Sequence, residues 1–323
     1  MERSRTGPPP ISIVTAVWNK SPITARWLGD IKPLVERHNA EVIVVDNGST
    51  DKSLIFLETC NIKLIKNPIG LGAAVARNQG SGIAKGEYLA FFDNDTIVDK
   101  GCISEMLKAL KKYRASMCQA KLLRMGSNLF DSCGSDIGQF GFLIDRIGAV
   151  EDNGQMDYVY PLMSLKTAGC MVERAVFPGF TENYFMYLED TDLCLRLWNK
   201  GYRVVFAHKA KVWHAFDTPF KDPKTYDMEI VRYYGCRNYI WTIARNTDGL
   251  LLKHILCWIG IGIFFLLKKN FKEAKYIFKG IRDALLGLPK RKGSFKVPVI
   301  KQSLLYYLKK GLLYANFSNR SGV

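Results

Sequence analysis

The chain has 323 residues, 48% of them apolar and 24% charged, enough for a real core and a balance that excludes a disordered or collagen-like chain. Lys and Arg number 46 against 30 Asp and Glu, a net charge of +16. The excess is local: residues 1–249 hold 31 basic and 28 acidic side chains, whereas residues 250–323 hold 15 and 2. A near-neutral body with a cationic last quarter points that quarter at phosphate, on nucleic acid or on a membrane surface.

Residues 1–10 are charged and then Pro-rich and read as a flexible N-terminus without a signal-like apolar run. Strand and helix signals then alternate. Ile11–Val17 is a short apolar strand, and Ser21 to Arg37 a helix with Ser21-Pro22 at its start. Glu41–Asp46 is an apolar strand closed by Asn47-Gly48-Ser49, after which Ser49 or Thr50 caps a helix running to about Cys60. Ile62–Lys66 is a third strand, Leu71 to Ala84 a helix and Tyr88–Phe92 a fourth strand. Uniformly apolar strands alternating with helices imply a mostly parallel sheet covered on both faces. Ligands in such sheets bind beyond the carboxyl ends of the strands, here at Trp18-Asn19, Asp46-Asn47, Asn67 to Gly72 and Asp93 to Asp95. Further on, Gly101–Tyr113 and Asp190–Lys200 read as helices, Arg203–Ala207 as a strand, and 226–246 as a helix.

Asp93-Asn94-Asp95 follows an apolar strand directly. Two close carboxylates repel unless a cation lies between them, and hard oxygens suit Mg²⁺ or Mn²⁺ gripping a diphosphate; a plain turn is the structural alternative. Asp46 at another strand end offers an acceptor for a base N–H or a ribose hydroxyl. Asn67 to Gly72 leads into a helix bearing Arg77 and Asn78, whose start favours phosphate. Gly70-Leu71-Gly72-Ala73-Ala74-Val75 half-matches a dinucleotide fingerprint, but Val75 and the intervening Asn67-Pro68 break it. Glu189-Asp190-Thr191-Asp192 opens a helix behind Tyr184–Tyr187; acids in a first turn suit the helix dipole, and three of them beside aromatics could also hold a general base. His214 alone reads as a structural histidine. The eight cysteines form no CxxC pair and read as buried, reduced thiols of a cytoplasmic protein.

Taken in order, the segments Ile11–Asn19, Val44–Asp51, Asn67–Asn78, Leu89–Asp95, Thr167–Cys170, Phe180–Arg196, Val212–His214 and Tyr233–Asn238 resemble the family 2 glycosyltransferases of GT-A fold, and more narrowly their rhamnosyltransferase-like branch. The resemblance implies an α/β GT-A domain with a nucleotide-sugar-binding half at 11–100 and an acceptor-binding, catalytic half at 101–246. It implies nucleotide contacts from Val17, Asn19, Asp46, Asn47, Gly72, Arg77, Asn78, Asp93 and Asn94. Asp95 and His214 would hold Mn²⁺ or Mg²⁺, Asp190 would be the catalytic base, and Gly169, Cys170, Glu189 and Asp192 would border donor and acceptor. The implied activity is inverting, metal-dependent transfer from a nucleoside-diphosphate sugar to a glycan or polyprenyl-linked hydroxyl. Asn94, where many relatives carry Pro or Asp, and Thr181, where relatives usually carry Asp, depart from the pattern.

Residues 247–323 form a separate basic, apolar extension. Ile255–Leu267 is an uninterrupted apolar run of 13 residues, short of the ~20 a membrane span needs. Phe271, Ala274, Phe278, Ile281, Leu285 and Leu288 follow at helical spacing, with Lys272, Lys275, Lys279 and Arg282 beside them, which makes an amphipathic basic helix. The expectation is peripheral attachment to the anionic inner face of the cell membrane, without nucleic acid. A non-catalytic nucleic-acid binder leaves the strand-end carboxylates unexplained, and a sugar nucleotidyltransferase is the other enzymatic alternative.

Overall fold

The computed structural model describes residues 10–215, 228–290 and 298–301. Their chain order begins β1 (Ile11–Val17), α1 (Ser21–His38), β2 (Glu41–Asn47), α2 (Ser53–Glu58), β3 (Lys63–Asn67), α3 (Ala73–Gly82) and β4 (Tyr88–Phe92). It continues β5 (Thr96–Val98), α4 (Cys102–Tyr113), β6 (Met117–Arg124), β7 (Phe130–Ser132), β8 (Ser135–Gly138), β9 (Leu143–Asp145) and β10 (Gly169–Glu173). The last elements are α5 (Glu189–Asn199), β11 (Val204–His214), α6 (Met228–Asn246), α7 (Leu251–Leu267), α8 (Phe271–Leu286) and β12 (Val299–Ile300).

The described residues divide into two compact units, those within 1–135 and 145–226, and those within 136–144 and 227–323. The helix expected at 226–246 thus groups with the basic extension rather than with the sheet. In the first unit the strands run in the order β3-β2-β1-β4-β10-β6-β11-β5, with β7 added on β6. The pairs β1–β2, β2–β3, β1–β4 and β6–β11 are parallel. The sheet is more mixed than expected, because β10 runs antiparallel to both β4 and β6, and β5 antiparallel to β11.

The apolar strands are explained by two-sided burial. Ile11, Ile13, Val42, Val44, Ala90 and Phe92 enter one core with Trp27 and Ile31 of α1 and Ile103 and Met106 of α4. Their alternates Val14, Ile43, Leu89 and Phe91 enter a second core with Ala74 of α3 and Leu193 and Leu197 of α5. Each strand therefore has a core on both sides, so most of its positions are apolar, with Ser12 and Thr15 of β1 the buried polar exceptions. One cation breaks this pattern. Lys121, in the middle of β6, is buried and ion-paired to Asp152 at 2.7 Å and Asp157 at 2.5 Å.

The start of α2 also differs from expectation. Ser49 does not cap a helix: its hydroxyl donates to Asp46, its own N–H also reaches Asp46 at 3.2 Å, and its Oγ accepts from Asn19 N–H at 2.7 Å. Its hydroxyl is thus directed to the β1–α1 loop and Asp46, and α2 begins four residues later at Ser53.

In the second unit, α6, α7 and α8 share a core built on Cys236, Ile240, Trp258, Phe265, Ile277 and Ile281. His254 on α7 is buried; its Nδ1 lies 2.7 Å from Phe140 O and its Nε2 accepts from Trp258 Nε1–H at 3.0 Å. Burial pushes its pKa down to about 4. Its folded value lies below the unfolded one, so stability is present above pH 6.5 and is lost as pH falls toward 4. The unfolding free energy of the natural chain, taken relative to His254→Gln, is expected to drop by about 3 kcal/mol between pH 7 and 4. Urea titrations of both chains at the two pH values measure it, and a pH-independent difference refutes it.

Candidate active site

The carboxyl end of β4 releases Asp93, Asn94 and Asp95, and β11 ends at His214 beside β5, with His214 in register with Thr96. This brings one ligating atom each from Asp93, Asp95 and His214 within 4.8 Å of one another. His214 Nε2 is 3.4 Å from Asp95 Oδ1, and its Nδ1 is 3.0 Å from Asp131 Oδ2. Asp131, on β7, is buried and also 3.3 Å from Lys166 Nζ. Burial lowers the His214 pKa, but the carboxylates of Asp131 and Asp95 outweigh it and hold the group up at about 9. The same contacts keep Asp131 below the usual carboxylate range in spite of its burial.

On the other side of the cluster Arg77, buried on α3, bridges two acids. Its Nη2 donates to Asp93 Oδ1 at 3.0 Å and its Nη1 to Glu189 Oε1 at 3.1 Å. The guanidinium also lies over the Phe180 ring, 5.8 Å from its centroid. The other oxygen of Glu189 is buried without a hydrogen-bond partner. Asp190, the next residue, is half-buried and accepts from Thr191 N–H at 2.7 Å. Desolvation and the adjacent Glu189 charge push its pKa up to about 7, against the opposing pull of Arg77 and Lys166. A carboxyl that ionises near neutrality is matched to proton transfer at that pH.

Glu189 and Asp190 are delivered by an unusual turn. Phe185, Tyr187 and Leu188 all have positive φ, at 60, 66 and 67°. Non-glycine residues hold such values only where surrounding structure imposes them, and such turns cluster at functional sites. One anchor is Gly72, itself at φ 87°, where a Cβ would come within 2.5 Å of Phe185 O. Ala73 N–H donates to that same carbonyl at 3.1 Å.

The remaining expected site residues lie as follows. Val17 and Asp46 are buried at the strand ends, and Asn19 and Asn47 beside them are half-exposed. Asn19 adopts φ 55° and its Oδ1 accepts from Thr50 N–H at 2.7 Å, fastening the β1–α1 loop to the β2–α2 loop. Asn47 Oδ1 accepts from Leu71 N–H at 3.0 Å. Asn94 donates to Thr24 at 2.8 Å. Asn78 is fully engaged elsewhere, binding both N–H and C=O of Phe180 and reaching Glu182. Asp192 is held by Thr181 Oγ1 at 2.7 Å and Arg196 Nε at 2.8 Å. Gly169 and Cys170 are buried inside β10, where a Cβ at 169 would meet Leu122 Cδ2 at 2.8 Å. Burial pushes the Cys170 thiol well up, which leaves it inert at neutral pH. The side chains of Asn78 and Asp192 are thus engaged with neighbouring loops, and Gly169 and Cys170 lie inside the sheet. The sequence reading missed Asp131, Lys166 and the Arg77–Glu189 pair.

The donor set fits a divalent ion. Two carboxylates and an imidazole converge, and the imidazole's far nitrogen is fixed by a buried carboxylate, as is usual for metal-binding histidines. Imidazole with carboxylate suits Mn²⁺ better than Mg²⁺, which prefers oxygen alone.

A mixed sheet whose strand ends gather carboxylates and a histidine is the architecture of the GT-A glycosyltransferases, and the solved structures agree. The crystal structure of GalNAc-T7 with UDP, GalNAc and Mn²⁺ superposes with a TM-score of 0.62 at 14% identity, covering 88% of this chain and 59% of that one. The structure of S. aureus TarS 1-349 in complex with UDP-GlcNAc superposes at 0.56 and 16%, covering 86% and 81%. Residues 12–132 match Glycosyl transferase family 2, and residues 88–269 match Glycosyl transferase family group 2. The chain belongs to the family 2 glycosyltransferases. It is 29% identical over 115 residues to Glycosyltransferase GlyG of Streptococcus pneumoniae, covering 33% of this chain and 37% of that protein. It is 26% identical over 191 residues to the Pre-mycofactocin glycosyltransferase of Mycobacterium tuberculosis, covering 56% and 38%. The matches span 38% or less of the curated relatives' own lengths. None of these likenesses singles out the rhamnosyltransferase-like branch.

Proposed function

We propose that the chain transfers a sugar, with inversion, from a nucleoside diphosphate to a hydroxyl of a glycan or lipid-linked acceptor at the inner face of a membrane. The observation that carries this reading is Asp190, a carboxyl pushed up to about 7, on the same charged network as the Asp93, Asp95 and His214 cluster. Asp190 accepts the proton of the acceptor hydroxyl, and that oxygen attacks the anomeric carbon on the face opposite the leaving diphosphate. Arg77 holds Glu189 and Asp93 in place and keeps their repulsion from splaying the site. The open oxygen of Glu189 is an acceptor for a sugar hydroxyl. Asp93, Asp95 and His214 would hold Mn²⁺ or Mg²⁺, which when bound neutralises charge on the departing nucleoside diphosphate. The half-exposed Asn19 and Asn47 border the nucleotide. UDP and Mn²⁺ with GalNAc-T7, and UDP-GlcNAc with TarS, support this choice of ligand class.

The test is a thermal-shift panel of sugar nucleotides with Mn²⁺ and with Mg²⁺. One nucleotide is expected to raise Tm by several degrees only when the divalent ion is present, and Asp95→Ala is expected to abolish that shift. Release of nucleoside diphosphate rather than pyrophosphate separates a glycosyltransferase from a nucleotidyltransferase. A panel in which no sugar nucleotide stabilises the protein defeats the reading.

A further inference from the structure

The exposed residues of α7 are arranged the wrong way round for a helix facing water. One face buries His254, Trp258, Gly262 and Phe265. The other presents Leu252, Leu256, Ile263, Leu266 and Leu267, with Leu252 and Leu267 at 69% and 79% exposure. At 100° per residue these five fall on one side, with Gly260 among them and Lys253 at the edge. The helix has 17 residues, about 25 Å, and among the described residues no helix is long and apolar enough to cross a membrane.

The neighbouring α8 supplies the charge. Its exposed positions are Lys272, Lys275, Lys279 and Arg282, interspersed with Phe271, Leu285 and Leu286. The two acids of this helix hairpin do not join them. Glu273 is half-buried and paired with Arg232 at 2.5 Å, and Asp283 is half-buried against Tyr233 Oη at 2.9 Å and Arg282 at 2.7 Å. No exposed position of α7 or α8 carries a carboxylate. The chemistry offered to a partner is therefore apolar and cationic only.

We infer that the outer faces of α7 and α8 dock this protein in the plane of an anionic lipid bilayer, α7 burying its leucines at the acyl boundary and α8 setting its lysines at the phosphate level. This rests on the proposed function for its purpose, since it brings the site to a lipid-linked acceptor, but not for its physics. A second copy is disfavoured as the cover, because residues 250–290 hold eight basic and two acidic side chains and two such surfaces repel. Nucleic acid would use the lysines and leave the leucines in water. An in-plane helix with an apolar face and flanking cations satisfies both halves at once, and each lysine near the surface adds about five-fold in partition.

The experiment is flotation of the full chain, without donor or acceptor, on vesicles of phosphatidylcholine with 30% phosphatidylglycerol or of phosphatidylcholine alone, at 0.15 M NaCl. Strong flotation is expected only on the anionic vesicles. Leu252→Gln/Leu256→Gln/Ile263→Gln is expected to lower partition at least ten-fold, and Lys272→Glu/Lys275→Glu to do the same. All five positions are exposed, and an unchanged Tm shows that each variant folds. Equal flotation on both vesicles, unchanged flotation of both variants, or RNA retention without flotation overturns the inference. So does a concentration-dependent dimer that the glutamine variant dissolves. Because flotation needs no catalysis, its failure leaves sugar transfer standing, and failed transfer to a soluble acceptor leaves flotation standing.

Discussion

Asp190→Asn is expected to lower kcat by at least about 10³-fold while nucleotide-dependent thermal stabilisation survives. The amide keeps the shape and the bond from Thr191 N–H but cannot take a proton. Two further readouts separate a base from a structural residue. The wild-type rate rises with pH through about 7, because the carboxylate is the active form and burial beside Glu189 keeps it protonated below that value. Stability runs the other way. The folded pKa lies above the ordinary 3.8, so the stabilisation from the held proton is complete below 3.8 and is lost as pH rises through 7. The Asn variant is therefore expected to melt a few degrees above wild type at pH 8.5 and level with it near pH 4. Near-normal turnover in the variant removes Asp190 from the mechanism.

Arg77→Ala is expected to have the largest effect on stability. The guanidinium is buried between Asp93 and Glu189, and deleting it leaves the buried Glu189 carboxylate without its cation. Breaking such a pair costs about 3–5 kcal/mol, or about 10 °C in Tm for a unit of this size. Loss of the same charge removes a pull that holds the Asp190 pKa down, so residual activity shifts to higher pH. Differential scanning calorimetry and a pH–rate profile read the two effects. A merely structural arginine moves Tm and leaves the profile where it was.

The elements at the start of the chain were largely open to reading in order. β1, β2 and β4 are mostly apolar because each sends alternate residues into two different cores. A strand of that kind can be recognised without knowing its neighbours. Asp93, Asp95 and Asp190 stood out for a related reason, since carboxylates directly after such a strand lie at the sheet's ligand edge and three acids gather at one helix start. The antiparallel insertion of β10 was not open to reading, because direction in a sheet depends on which partner arrives, not on the strand's own pattern. Asn78 and Asp192 looked like ligand contacts by position, yet their side chains are spent on Phe180, Thr181 and Arg196.

What the amino-acid sequence by itself determined is the alternation of strands and helices, the strand-end carboxylates, and the division between a near-neutral body and a basic last quarter. These are properties of short stretches, set by local periodicity and composition. What only the tertiary structure decided is which charges share a low-dielectric place: Arg77 with Glu189, 112 residues apart, and His214 with Asp131, 83 residues apart. The orientation of Glu273 and Asp283 belongs with them, since it leaves the outer face of the helix hairpin without a carboxylate. The physical reason is the same in each case. A charge's effect depends on its desolvation and on its nearest partners, and distant segments supply both only after the chain has folded.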